Sequence, residues 1–147
     1  MPAGSGPDDE IDDRLEGPTT WTADPWERAV REVLERMDAE VSTVVVEGPR
    51  DRAALRTAGV ESPIRTCAQS DGLVPFAASL PDGPIAILTD YDTAGRQLNG
   101  RLRELVHDGR VESRWRRELG LLLTQRGRYD VESLNNVFDG CPPLSRR

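Results

Sequence analysis

Three acidic residues stand where the chain could do chemistry. Glu47 closes the β-branched run Ser42-Thr43-Val44-Val45-Val46, and Asp90 and Asp92 follow the apolar run Ile85-Ala86-Ile87-Leu88. In an open parallel α/β sheet, ligands bind in the crevice beyond the carboxyl ends of the strands. If the two runs are neighbouring strands, all three carboxylates face that crevice. Residues i and i+2 of an extended chain point the same way, so Asp90 and Asp92 project together while Tyr91 points elsewhere. Three hard oxygen donors in close company repel unless a cation neutralises them, which points to Mg2+ or Mn2+ and, through the ion, to phosphate oxygens. Taken alone, an Asp-x-Asp after a strand is more often turn chemistry than metal ligation. Gly48 and Gly95 would let backbone approach a ligand or turn tightly. Arg50 and Arg96, beside them, could clamp a phosphate or simply balance local charge.

These residues need strand ends to hold them, and the pattern along the chain supplies strands alternating with helices. Asp24 is a candidate N-cap with Pro25 at the first helical position. Trp26, Ala29, Val30, Val33, Leu34 and Met37 then recur at spacings of three and four, one apolar helix face. After the strand ending at Val46, Ala53, Ala54, Leu55 and Ala58 read as a helix stopped by Gly59. A weaker strand over 63–67 and a helix over about 70–80 precede the strand at Ile85. Another helix runs from about Gly95 to His107, and two more are predicted over about 111–125 and 130–138. The alternation predicts an α/β fold: a mostly parallel sheet of about four strands flanked by helices, with extra N- and C-terminal helices. Residues 1–23 read as a flexible acidic arm, 24–138 as one domain and 139–147 as a tail.

Composition removes other chemistries. All nineteen basic residues are arginine; there is no lysine. A phosphate-loop NTPase, a pyridoxal enzyme and a protein kinase each require one, as do phosphatases of the haloacid-dehalogenase type and phosphoacceptor receiver domains. The net charge of −7 with arginine in place of lysine fits salt adaptation or arginine-rich codon usage equally well. Cys67 and Cys141 form no C-x-x-C pair, and the single histidine, His107, provides neither a triad nor a multi-histidine zinc site. No apolar run approaches a bilayer span and the start is acidic, so a cytoplasmic protein is expected.

Val44-Val45-Val46-Glu47-Gly48, and Ile87-Leu88-Thr89-Asp90-Tyr91-Asp92-Thr93-Ala94-Gly95, in that order and strand context, resemble the two signature motifs of the Toprim domain. The form is most similar to small stand-alone archaeal Toprim proteins and to the ribonuclease that matures 5S rRNA. The match covers about residues 40–110. The resemblance implies a Toprim-like, Rossmann-like sheet and a Mg2+-dependent nuclease or nucleotidyl transferase. It makes Glu47 the general acid or base, Asp90 and Asp92 the metal ligands, and Asp51 an accessory acid. The other expectation is a non-catalytic metal- or nucleic-acid-binding or assembly module.

Charge is distributed unevenly. Up to Glu40 there are four arginines and twelve acids, a net of −8, whereas Arg96 to Arg128 holds nine arginines and four acids, a net of +5. Arg114, Arg116 and Arg117, with Trp115 among them, could follow a phosphate backbone while the ring offers a stacking face. Equally, they could form a solvated helix face with Trp115 packed inward. RNA or DNA is the expected partner, with a protein partner or a homodimer as the alternatives and no membrane.

Overall fold

Val44 and Val46 pack into one apolar cluster and Val45 into another, on opposite faces of one strand. This period of two is repeated next door, where Ala86 and Leu88 join the first cluster and Ile85 and Ile87 the second. The computed structural model describes residues 24–106 and 109–138. The predicted arm, His107, the tail and Cys141 lie outside them. In chain order the elements are α1 (Pro25–Glu40), β1 (Thr43–Val46), α2 (Pro49–Thr57), β2 (Ile64–Thr66), α3 (Leu73–Ala78), β3 (Ile85–Ile87), α4 (Thr93–Leu105), α5 (Arg114–Gln125) and α6 (Leu134–Val137).

Among the described residues the sheet has three strands, not the four expected of a Toprim-like sheet, in the order β2-β1-β3 and all parallel. Val111 comes alongside Ile85 as an isolated parallel bridge. The Ile85 N–H donates to the Arg110 carbonyl and the Glu112 N–H to the Ile85 carbonyl. The ladder goes no further because α5 begins at Arg114, so this segment adds no fourth strand among the described residues. The helix predicted over 130–138 contracts to the four residues of α6.

Local chemistry sets several boundaries. Asp24 caps α1 by accepting from the Glu27 N–H at 2.8 Å, and Glu27 accepts in return from the Asp24 N–H at 3.3 Å, a reciprocal capping box. The apolar stripe of α1 packs on α5, where Trp115, Leu119 and Leu123 are fully buried. Arg36 reaches Glu118 across that contact at 3.0 Å. Helices α1, α2, α5 and α6 supply the first cluster; α3 and α4 supply the second. Both layers cover a sheet whose β1 and β3 end side by side at one edge.

Candidate phosphate-binding cavity and its acidic flank

Glu47 follows β1 at that edge and is exposed, and Asp90 follows β3 nearby, half-buried. The structure gives the other acids defined local duties. Asp92 is the N-cap of α4, its Oδ1 accepting from the Gly95 N–H at 2.7 Å. Asp51 closes the first turn of α2 by accepting from the Gly48 N–H at 3.1 Å. Asp90 Oδ1 accepts from the Val131 N–H at 2.9 Å and so ties the segment before α6 to the end of β3.

Burial pushes the Asp90 carboxyl up from its ordinary value, the Val131 N–H opposes this, and Asp51, Asp130 and Asp92 push further up. Asp51 behaves in the same way: burial raises it, the Gly48 N–H lowers it, and Glu47, Glu132 and Asp130 raise it. The acids therefore form a mutually repelling flank along the sheet edge. Cys67, buried beneath it, has its thiol pushed up by burial and then by Glu47, with Asp51 adding to the rise.

Among the described residues, no group of three or more His, Cys, Asp or Glu side chains is disposed to hold a metal ion. The Mg2+ or Mn2+ site expected of Glu47, Asp90 and Asp92 is corrected accordingly. The physical reason lies in the hydrogen bonds: Asp92 is turned onto its own helix and Asp90 onto Val131. Gly95 also serves the fold. A Cβ on Gly95 would stand 2.0 Å from the Asp90 carbonyl oxygen, so this glycine admits backbone, not ligand. A Cβ on Gly48 would meet nothing within 4 Å.

The arginines divide into two groups. Arg50 is exposed and faces Glu132 at 4.0 Å on the acidic flank. Arg114 pairs with Glu40 and lies 4.2 Å over the ring centroid of the fully buried Trp115, which offers no free stacking face. Arg96, Arg116 and Arg117, by contrast, meet Arg103 around an open cavity of about 540 Å³ between α4 and α5. Tyr91, Tyr129, Asn99 and Ser113 are also in its wall, which among the described residues contains no carboxylate.

Two of these guanidiniums are held by the end of β3 and the loop that follows it. Arg116 Nε donates to the carbonyl and hydroxyl oxygens of Thr89, both at 3.1 Å, and Nη2 donates to the Asp90 carbonyl. Its guanidinium lies 4.6 Å over the Tyr91 ring. Arg96 Nη1 donates to the Tyr91 carbonyl at 2.8 Å. Tyr91 is fixed in turn: its hydroxyl donates to the Arg116 carbonyl at 2.8 Å, and its N–H donates to the Tyr129 carbonyl at 2.8 Å. Burial pulls the Arg116 pKa down; Tyr91 opposes this, and repulsion from Arg96 and Arg103 adds to the fall.

Arg103, Asn99 and Tyr129 were not singled out in the sequence. Arg96, Asn99 and Arg103 recur at spacings of three and four, and that polar stripe on one helix face was the available signal.

No protein-family model matches the chain. It is 29% identical over 108 residues to a UPF0292 protein of Pyrococcus furiosus, covering 73% of this chain and 79% of the relative. A UPF0292 protein of Thermococcus onnurineus is 33% identical over 111 residues, with the same two shares. One from Methanocaldococcus jannaschii is 33% identical over 113 residues, 70% of this chain and 84% of the relative. A solved structure of a protein from Aquifex aeolicus shares the fold, with a TM-score of 0.57 at 19% identity over 71% of this chain and 94% of that one.

These relatives are UPF0292 proteins, and their names carry no enzymatic activity. The Toprim resemblance, including its likeness to the 5S-rRNA-maturing ribonuclease, is corrected on this finding. With the metal site gone, so is the expectation of a magnesium-dependent nuclease or phosphotransferase using Glu47. No helix among the described residues is long and apolar enough to cross a membrane.

Proposed function

The chain belongs to the UPF0292 family, and from the arginine cavity it carries we propose that it is a non-catalytic nucleic-acid-binding module. The observation that carries this reading is the cavity wall: among the described residues, four guanidiniums and no carboxylate, within a protein of net charge −7. Like charges gathered without a counter-charge repel, and a phosphate relieves them. Arg96 and Arg116 are held by backbone carbonyls, so little side-chain entropy is lost when they meet a ligand. Among the described residues, Arg103 and Arg117 have no ion-pair partner. Tyr129, 53% exposed, offers a ring to an unpaired base, which favours single strands over duplex.

Anisotropy with labelled single-stranded RNA and DNA tests the proposal. Arg103→Glu and Arg117→Glu should each weaken binding by about tenfold or more, since each also adds repulsion. Neutralising either arginine should flatten the slope of log K against log salt by about 0.7 per lost contact. Binding that survives both reversals, or no binding at low salt, refutes the reading.

A further inference from the structure

We infer that the cavity is built for a nucleoside phosphomonoester, carried either by the end of a strand or by a free nucleotide. The inference rests on the nucleic-acid reading above and narrows it. Two observations support it. An open cavity of about 540 Å³ is in the range of small-ligand sites, so it has room for a single nucleotide. Four arginines around it exceed what the single charge of a phosphodiester requires. A phosphomonoester brings about −1.5 to −2 at neutral pH, together with three acceptor oxygens for forked guanidinium donors.

In the cavity Arg103 and Arg117 take the phosphate, Arg96 and Arg116 brace it, and the Tyr129 ring stacks on the base.

The test is titration of the full chain with a short oligoadenylate bearing a 5′-phosphate, a 3′-phosphate or hydroxyls alone, and with AMP, adenosine and inorganic phosphate. The expected result is a gain of about tenfold or more for a phosphorylated end over hydroxyl ends, or for AMP over adenosine. That gain should vanish in Arg103→Gln/Arg117→Gln, whose sites are exposed, so that folding is not at issue. Tyr129→Ala should weaken AMP by about tenfold and leave inorganic phosphate unchanged.

A gain at one strand end supports the inference and identifies that end as the source. A gain for AMP with no binding of any strand supports it as a nucleotide site and overturns the nucleic-acid reading. Equal binding of phosphorylated and hydroxyl-ended strands overturns the inference and leaves that reading standing. Silence from every probe overturns both.

Discussion

Replacing Arg116 with methionine keeps most of the aliphatic stem and removes all its guanidinium donors. Three contacts go: Nε to the Thr89 carbonyl, Nε to the Thr89 hydroxyl and Nη2 to the Asp90 carbonyl. The two Nε contacts share one proton, so two donors are lost. Each charged donor contributes about 1.5–3 kcal/mol when well buried. Arg116 is half-buried, which argues for the lower end and a total of about 3 kcal/mol. Loss of the stack on Tyr91 adds about 0.5 kcal/mol at a partly exposed site. Against the roughly 5–15 kcal/mol of a typical domain this is a large share. With a urea m-value of about 1.5–2 kcal/mol/M, the combined loss of about 3.5 kcal/mol should lower the midpoint by about 1.8–2.3 M. Arg116→Lys retains charge but only a point donor, and should recover no more than about half of the loss. Arg117→Met, at an exposed position, should stay within about 0.5 kcal/mol of the parent. A loss below about 1 kcal/mol for Arg116→Met, or equal losses at 116 and 117, would refute the bracing role.

The carboxylate flank makes a prediction in pH. Because the folded-state pKa of Asp90 is raised, the folded form holds its proton more tightly than the unfolded chain does. The Asp90 contribution to stability therefore declines as pH rises from about the ordinary 3.8 through the raised value. Asp90→Asn keeps an acceptor for the Val131 N–H, so thermal melts should find it at least as stable as the parent at neutral pH, with the difference shrinking on acidification. Asp90→Ala should instead lose about 1–2 kcal/mol, because Val131 N–H is left unpaired; a lower melting point for Asp90→Asn at neutral pH would contradict this account. Two helical glycines should also part company. A Cβ at Gly120 would stand 2.5 Å from Tyr91 Cε1, whereas one at Gly100 meets nothing within 4 Å. Chemical denaturation should show Gly120→Ala destabilised by about 1–3 kcal/mol and Gly100→Ala stabilised by about 0.5–1 kcal/mol; similar effects at both positions would refute the close approach of α5 to Tyr91.

What the sequence made legible is what neighbours in the chain decide. Asp24, Pro25 and Glu27 start α1 through bonds within one turn, and its apolar stripe is readable because helical spacing alone gathers those residues. The valines of β1 announce a strand covered on both faces. The number of strands is not legible in the same way, since whether Val111 extends a ladder or only touches Ile85 depends on where the chain turns into α5.

The acidic residues show the limit most clearly. Written in a line, Asp90-Tyr91-Asp92 serves a metal site or a pair of structural anchors equally well. The choice is made by Val131 and by the first turn of α4. The cavity lies further still from the linear record. Arg103 and Arg117 stand on different helices and reach one wall, beside which Gly120 lets α5 approach the Tyr91 ring. Residue type and short-range periodicity thus determined the kinds of element and the stock of charges, because those interactions close within a few residues. Which charges oppose and which converge was decided only when α4 and α5 came to flank one cavity, since electrostatic and hydrogen-bonding partners are chosen by distance in space.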